Sequence, residues 1–67
     1  MEYQKDRNTI GLVGVERAAE FLGIETATVY VWCEQQRIPH VRLGRSIRFD
    51  LSALQRWIDA HSVEAQT

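Results

Sequence analysis

The chain has 67 residues, 45% of them hydrophobic, a single cysteine and a formal net charge of −1 at pH 7. A chain of this length forms one small domain without room for both a core and a catalytic pocket, so we expect no enzymatic activity. The lone cysteine excludes an internal disulfide and a cysteine-rich zinc site. No apolar run is long enough to span a membrane and no signal-peptide pattern is present, so we expect a cytoplasmic protein.

The two ends of the chain are predicted to be flexible. Residues 1–11 mix charged and polar side chains and follow no helical or strand period, which predicts an N-terminal arm. Leu12 and Val13, which lie between two glycines, are compatible with a very short strand. Residues 62–67 have no apolar stripe and predict a C-terminal tail, so the folded domain is expected to span residues 12–61.

A first helix is predicted from Val15 to Leu22. Its apolar or small residues recur at helical spacing and share one face; they are Val15, Ala18, Ala19 and Leu22. Gly23 supplies the left-handed backbone that ends a helix, and Ile24 follows as an apolar residue for the corner.

A second helix is predicted from about Thr26 to Gln36, with Thr26 as its N-cap. Val29, Trp32 and Cys33 form its apolar face and pack on the first helix. Cys33 is therefore interpreted as a small core residue rather than a reactive thiol. Two helices joined by this short turn form a helix-turn-helix.

The period then changes from helical to alternating. Pro39 ends any helical continuation, and apolar and polar residues alternate in residues 40–43 and 46–49, with Gly44-Arg45 as the turn. This pattern predicts a β-hairpin, the wing of a winged helix-turn-helix. We expect its apolar face to consist of Val41, Leu43, Ile47 and Phe49, and Arg42 and Arg48 to face outward.

A third helix is predicted from Leu51 to about Ala60, capped by Asp50. Its apolar stripe closes the core and consists of Leu51, Leu54, Trp57 and Ile58. Trp57 is interpreted as a core residue rather than a platform for base stacking. The predicted fold is mainly α with a small β-hairpin.

The charges are unevenly distributed. Residues 37–48 contain four arginines and no acidic residue, whereas Glu16, Glu20, Glu25 and Glu34 lie on or beside the first two helices. Taken alone, the arginines could form an ordinary solvated surface. Their position on a hairpin beside a helix-turn-helix favours a nucleic-acid contact.

The sequence contains no pattern typical of a metal site, a catalytic site or a nucleotide-binding loop. His40, His61 and Cys33 do not have zinc-site spacing, no residues are spaced as a catalytic triad, and no glycine-rich phosphate loop is present. We therefore expect neither a metal nor another cofactor.

Residues 12–61 resemble the excisionase-type winged helix-turn-helix domains, which are relatives of the MerR DNA-binding domain and occur in phage excisionases and small regulators of mobile elements. The segments that carry the resemblance are VERAAEFLGIETATVYVW, RIPHVRLGRSIRFD and LQRWID. Either half of this pattern alone would be weak, whereas the combination is fairly specific.

The resemblance implies that the second helix enters the DNA major groove and that the wing lies along the backbone or in the adjacent minor groove. The implied contact residues of the helix are Thr26, Ala27, Thr28, Tyr30, Val31 and Gln35. Those of the wing and its approach are Arg37, Arg42, Arg45, Ser46 and Arg48. Relatives commonly have an arginine at or near the position of Val31, so base recognition by this helix is expected to be limited.

Three functions follow as hypotheses. An excisionase would bind and bend duplex DNA to direct site-specific recombination of a mobile element, with an integrase as a candidate partner. A small prophage-type transcriptional regulator would use the same fold. A protein-interaction module, using the acidic face of the first helix or Tyr30 and Val31, belongs to another class. We expect a monomer in solution, with cooperative binding of neighbouring copies on DNA.

Overall fold

The computed structural model describes residues 11–65, so residues 1–10 of the predicted arm over residues 1–11 and the last two residues of the predicted tail lie outside it. The fold is the predicted one, mainly helical with a small antiparallel hairpin, and is compatible with a winged helix-turn-helix. In chain order the elements are α1 (Val15–Leu22), α2 (Thr26–Glu34), β1 (Val41–Leu43), β2 (Ser46–Arg48) and α3 (Leu51–His61). None of the described helices is long and apolar enough to cross a membrane.

Helix α1 has the predicted bounds and the predicted core face. Val15, Ala18 and Ala19 are buried, and Gly23 ends the helix with a left-handed backbone at φ 72° and ψ 33°. The amides of Gly23 and Ile24 donate to the carbonyls of Glu20 and Ala19, which satisfies the last turn. The turn between α1 and α2 is therefore fixed by its own backbone hydrogen bonds.

Helix α2 differs from the prediction at both ends. The N-cap is Glu25 rather than Thr26, which is already the first helical residue, and no side chain caps this helix. The helix ends at Glu34 because Gln36 adopts a left-handed backbone at φ 57°, and the Arg37 amide donates back to the Trp32 carbonyl. This is the same closing arrangement as at Gly23, formed here by a non-glycine residue.

The hairpin has the predicted turn, but one of its faces was predicted wrongly. The register pairs Val41 with Arg48, Arg42 with Ile47 and Leu43 with Ser46. Residues opposite each other point to the same side of a sheet, so the face that carries Val41 and Leu43 also carries Arg48. Arg42 therefore lies on the face of Ile47, which packs against the core, and on the opposite face from Arg48, although its own side chain is exposed.

The hairpin is joined to the start of the domain. Val13 and Phe49 exchange two backbone hydrogen bonds, of 2.9 and 2.8 Å, and form an antiparallel bridge. The short strand proposed at Leu12 and Val13 is thus reduced to this single bridge. Phe49 itself is fully buried, so the base of the hairpin belongs to the core.

Helix α3 closes the core from the other side. The Asp50 carboxylate accepts a hydrogen bond from the Ser52 amide at 2.9 Å, which confirms the predicted cap. Leu54 is fully buried, while the Trp57 ring lies 5.9 Å from that of Trp32. The Trp57 indole N–H donates to the Arg37 carbonyl at 3.0 Å, which ties α3 to the segment between α2 and the hairpin.

Candidate nucleic-acid interface

The predicted contact surface of α2 carries hydroxyl, amide and apolar side chains and no basic one. Five of its predicted contact residues are exposed and one, Thr28, is half-buried; the exposed ones are Thr26, Ala27, Tyr30, Val31 and Gln35. Val29 and Cys33, on the opposite side of the helix, are buried and hold it on the core. This surface offers hydroxyl groups and small apolar contacts to a base edge or a phosphate.

The hairpin supplies the positive charge. Gly44 has a left-handed backbone at φ 62°, which a tight two-residue turn needs, and Arg45 follows it at the tip. Arg45, Ser46 and Arg48 are all exposed. Arg48 also donates a hydrogen bond to the carbonyl of Ile47 at 2.9 Å, which leaves the rest of its guanidinium group facing solvent.

An open groove of about 440 Å³ brings these two surfaces together. It lies between the start of α1, the exposed side of α2 and the second strand of the hairpin, and its lining residues are Gly14, Val15, Glu16, Tyr30, Arg45, Ser46, Ile47 and Arg48. Four predicted contact residues, Tyr30, Arg45, Ser46 and Arg48, therefore share one concave surface. Two guanidinium groups and two hydroxyl groups form a donor set suited to a phosphate.

Arg37 and Gln35 are engaged with each other, away from this groove. The Arg37 guanidinium lies 5.6 Å from the centre of the Trp32 ring, and its Nη1 donates to Gln35 Oε1 at 3.3 Å. Neither residue lines the groove. A phosphate contact by Arg37 would have to compete with its stacking on Trp32.

Arg42 is also separated from the other hairpin arginines. It does not line the groove, and it lies, with an exposed side chain, on the face of the hairpin opposite Arg48 and near Cys33 of α2. Burial raises the pKa of the Cys33 thiol, and the positive charge of Arg42 opposes that rise. The buried, protonated thiol agrees with the interpretation of Cys33 as a core residue. Within residues 11–65 there is no group of three or more His, Cys, Asp or Glu side chains arranged to hold a metal ion.

Glu16 lines the groove but was not among the predicted site residues. It lies in the first turn of α1, some thirty residues before β2 in the chain. The one sequence signal that could have indicated its position was the short strand at Leu12 and Val13. Pairing that strand with the end of the hairpin brings the first turn of α1 beside β2.

Comparison with known proteins identifies a family that matches the chain. The family model described as helix-turn-helix domain matches residues 12–62, which is most of the chain. No curated protein and no solved structure matches the chain significantly. The matched residues include α1, α2, the hairpin and α3, so the match covers both surfaces of the groove.

Proposed function

The chain belongs to the excisionase-like helix-turn-helix family, and from this premise we propose that it binds double-stranded DNA and bends it as an excisionase does. A helix-turn-helix domain suggests DNA binding. In the proposed complex α2 enters the major groove, and the hairpin follows the backbone into the adjacent minor groove.

The observation that carries this proposal is the groove between α2 and the hairpin. Tyr30 of α2 lines it together with Arg45 and Arg48 of the hairpin, although Tyr30 lies fifteen residues before Arg45 in the chain. A phosphate seated there would fix the position of α2 and the hairpin on the same duplex. The hairpin tip at Gly44-Arg45 would then lie beside the minor groove, whose negative potential, strongest where the groove is narrow, would attract the same Arg45 guanidinium.

Base recognition is assigned to the exposed side of α2. The hydroxyl groups of Thr26 and Thr28 can bond base edges or phosphates, whereas Ala27 and Val31 can contact only a thymine methyl group. These contacts are few and carry no charge. We therefore expect weak discrimination by one copy and a need for neighbouring copies on repeated sites.

The salt dependence of binding tests the proposal directly. A fluorescently labelled duplex is titrated with the protein at several salt concentrations. If the hairpin arginines contact two to four phosphates, log K should fall with log salt at a slope of roughly −2 to −4 per protomer. Weak binding that does not change with salt would contradict DNA binding and favour the protein-interaction hypothesis.

A bending assay distinguishes an excisionase from a protein that binds its DNA site without bending it. Energy transfer between dyes at the two ends of a duplex of about 30 base pairs should increase when the protein binds, because a bend shortens the distance between the ends. Tight binding to a duplex that stays straight would favour a transcriptional regulator instead. An integrase would be the partner only in the excisionase case.

The assembly state provides a further test. We expect the protein to be a monomer in free solution and to bind adjacent sites on DNA cooperatively. Sedimentation velocity without DNA should give a single species with the mass of one chain, 7.8 kDa. A stable dimer in the absence of DNA would contradict the proposed assembly.

A further inference from the structure

The groove that we assign to a phosphate also contains a carboxylate. Glu16 lines it together with Arg45 and Arg48, so one acidic side chain faces the space that a DNA phosphate would occupy. Like charges repel, and a carboxylate beside a phosphate opposes its binding. This residue belongs to neither of the surfaces that recognise DNA in the proposal.

The fold does not need Glu16 for packing. The core face of α1 consists of Val15, Ala18 and Ala19, whereas Glu16 is exposed. It lies in the first turn, where the helix dipole favours a negatively charged side chain. Replacing it by glutamine removes the charge and retains the size and the polarity of the side chain.

The carboxylate of Glu16 is also not neutralised by a close ion pair within residues 11–65. The charged pair found there on α1 joins Arg17 and Glu20, at 3.8 Å, one turn further along the helix. Neither Arg45 nor Arg48 lies within 4.0 Å of an acidic group in the described part of the chain. Among the described residues, the negative charge of Glu16 is therefore available to act on a group that enters the groove.

We infer that Glu16 sets the strength of DNA binding, as a charge inside the phosphate groove that keeps the affinity below the value that Arg45 and Arg48 alone would give. This inference rests on the proposed function. Because every duplex presents a phosphate to the groove, the effect should be similar on a selected site and on random sequence. Glu16 then limits affinity without choosing bases.

The test compares Glu16→Gln with Glu20→Gln, which changes the net charge equally on the same helix but outside the groove. At low salt Glu16→Gln should tighten binding to both duplexes by about 3- to 10-fold, because it removes a like charge from beside the phosphate in an open groove that water also enters. The gain should shrink as salt rises, because the interaction is screened. Glu20→Gln should change binding by less than about 2-fold.

A double-mutant cycle with Arg48→Gln decides whether the effect arises in the groove. If it does, the gain from Glu16→Gln should fall to half or less in the Arg48→Gln background, because the phosphate is then held less closely. Equal gains from Glu16→Gln and Glu20→Gln, or an unchanged gain in the Arg48→Gln background, would overturn the inference. A wild-type protein that binds no duplex at low salt would instead overturn the proposed function.

Discussion

The two surfaces that meet at the groove differ in the chemistry that they offer to DNA. Helix α2, residues Thr26–Glu34, has no basic side chain, whereas the hairpin carries Arg42, Arg45 and Arg48 within seven residues. Neutral hydroxyl and methyl groups can distinguish bases but add little affinity, while arginines bind any phosphate. Under the proposed function, this difference predicts a division of labour in which the hairpin supplies affinity and α2 supplies the sequence preference.

The two surfaces also differ in how they are supported. Helix α2 is held by the buried side chains of Val29 and Cys33 along its length. The strands of the hairpin have three residues each, and the hairpin is anchored to the core by Ile47 and the fully buried Phe49. The position of the charged surface therefore depends on a small number of core contacts at its base.

The largest expected effect is on this anchor. Phe49→Ala should lower the free energy of unfolding by about 3 to 5 kcal/mol, because it removes a fully buried aromatic ring. A loss of that size approaches the whole stability of a small domain. Urea unfolding followed by circular dichroism measures it, with Leu43→Ala as the control on the same hairpin, since Leu43 is 55% exposed. A loss below about 1 kcal/mol would mean that the hairpin is an appendage outside the core.

The second prediction tests the charged surface itself. Arg45→Ala should weaken binding to a selected duplex and to a random duplex by similar factors, about 1 to 2 kcal/mol each, through the loss of a charge-assisted contact. Arg56→Ala on α3 is the matched control, because it removes the same charge from an exposed residue outside the groove. If Arg45→Ala leaves both affinities unchanged, the hairpin only covers the core and the protein-interaction hypothesis gains support.

The helices were predictable because their signals are local. The face of α1, its end at Gly23 and the cap at Asp50 each depend on residues within one or two turns of each other. The predicted N-cap of α2 was wrong because it relied on residue type alone, which is also a local signal. Thr26 is a favourable N-cap residue by type, but the backbone has already entered the helix at that position and Glu25 occupies the cap.

The face of the hairpin was predicted wrongly because residues in the two strands were matched by their hydrophobicity alone. A two-residue turn at Gly44-Arg45 pairs Leu43 with Ser46, and each further pair follows from that one. Odd-numbered residues of β1 are thereby placed opposite even-numbered residues of β2. The position of the turn in the sequence is therefore sufficient to place Arg42 on the side of Ile47, whereas the alternation of apolar residues is not.

The groove was not predictable at the level of its lining. Glu16 and Arg48 are brought together by the bridge between Val13 and Phe49, a contact between residues 36 positions apart. Periodicity and capping give no information on such a pairing, since a single bridge has no repeating pattern. The sequence therefore indicated which residues are basic and exposed, but not which of them share a surface.

The third prediction uses this separation of the arginines. Arg48 lines the groove, whereas Arg42 lies on the opposite face of the hairpin near Cys33. Arg48→Ala should therefore weaken DNA binding by about 5-fold, while Arg42→Ala should weaken it by about 2-fold or less. Titration of one duplex at a single salt concentration compares the two variants. Equal losses would show that DNA contacts both faces of the hairpin and that the groove has no special role.

The smallest expected effect concerns base preference by α2. Thr28 is half-buried near the start of the helix, between exposed Ala27 and buried Val29, and it carries no charge. Thr28→Ala should weaken binding to a duplex selected from random sequences by about 3- to 5-fold and binding to random DNA by less than about 2-fold, because it loses one base contact and no phosphate contact. Equal losses on the two duplexes would contradict the assignment of base recognition to α2.

Two further variants at this position identify the group that makes the contact. Thr28→Ser retains the hydroxyl and removes the methyl group, whereas Thr28→Val retains the shape and removes the hydroxyl. If a hydrogen bond to a base edge provides the preference, Thr28→Ser should retain selectivity and Thr28→Val should lose it. The reverse result would assign the preference to contact with a thymine methyl group. In both cases the selectivity resides in α2, and the affinity for random DNA should stay close to the wild-type value because the hairpin arginines are unchanged.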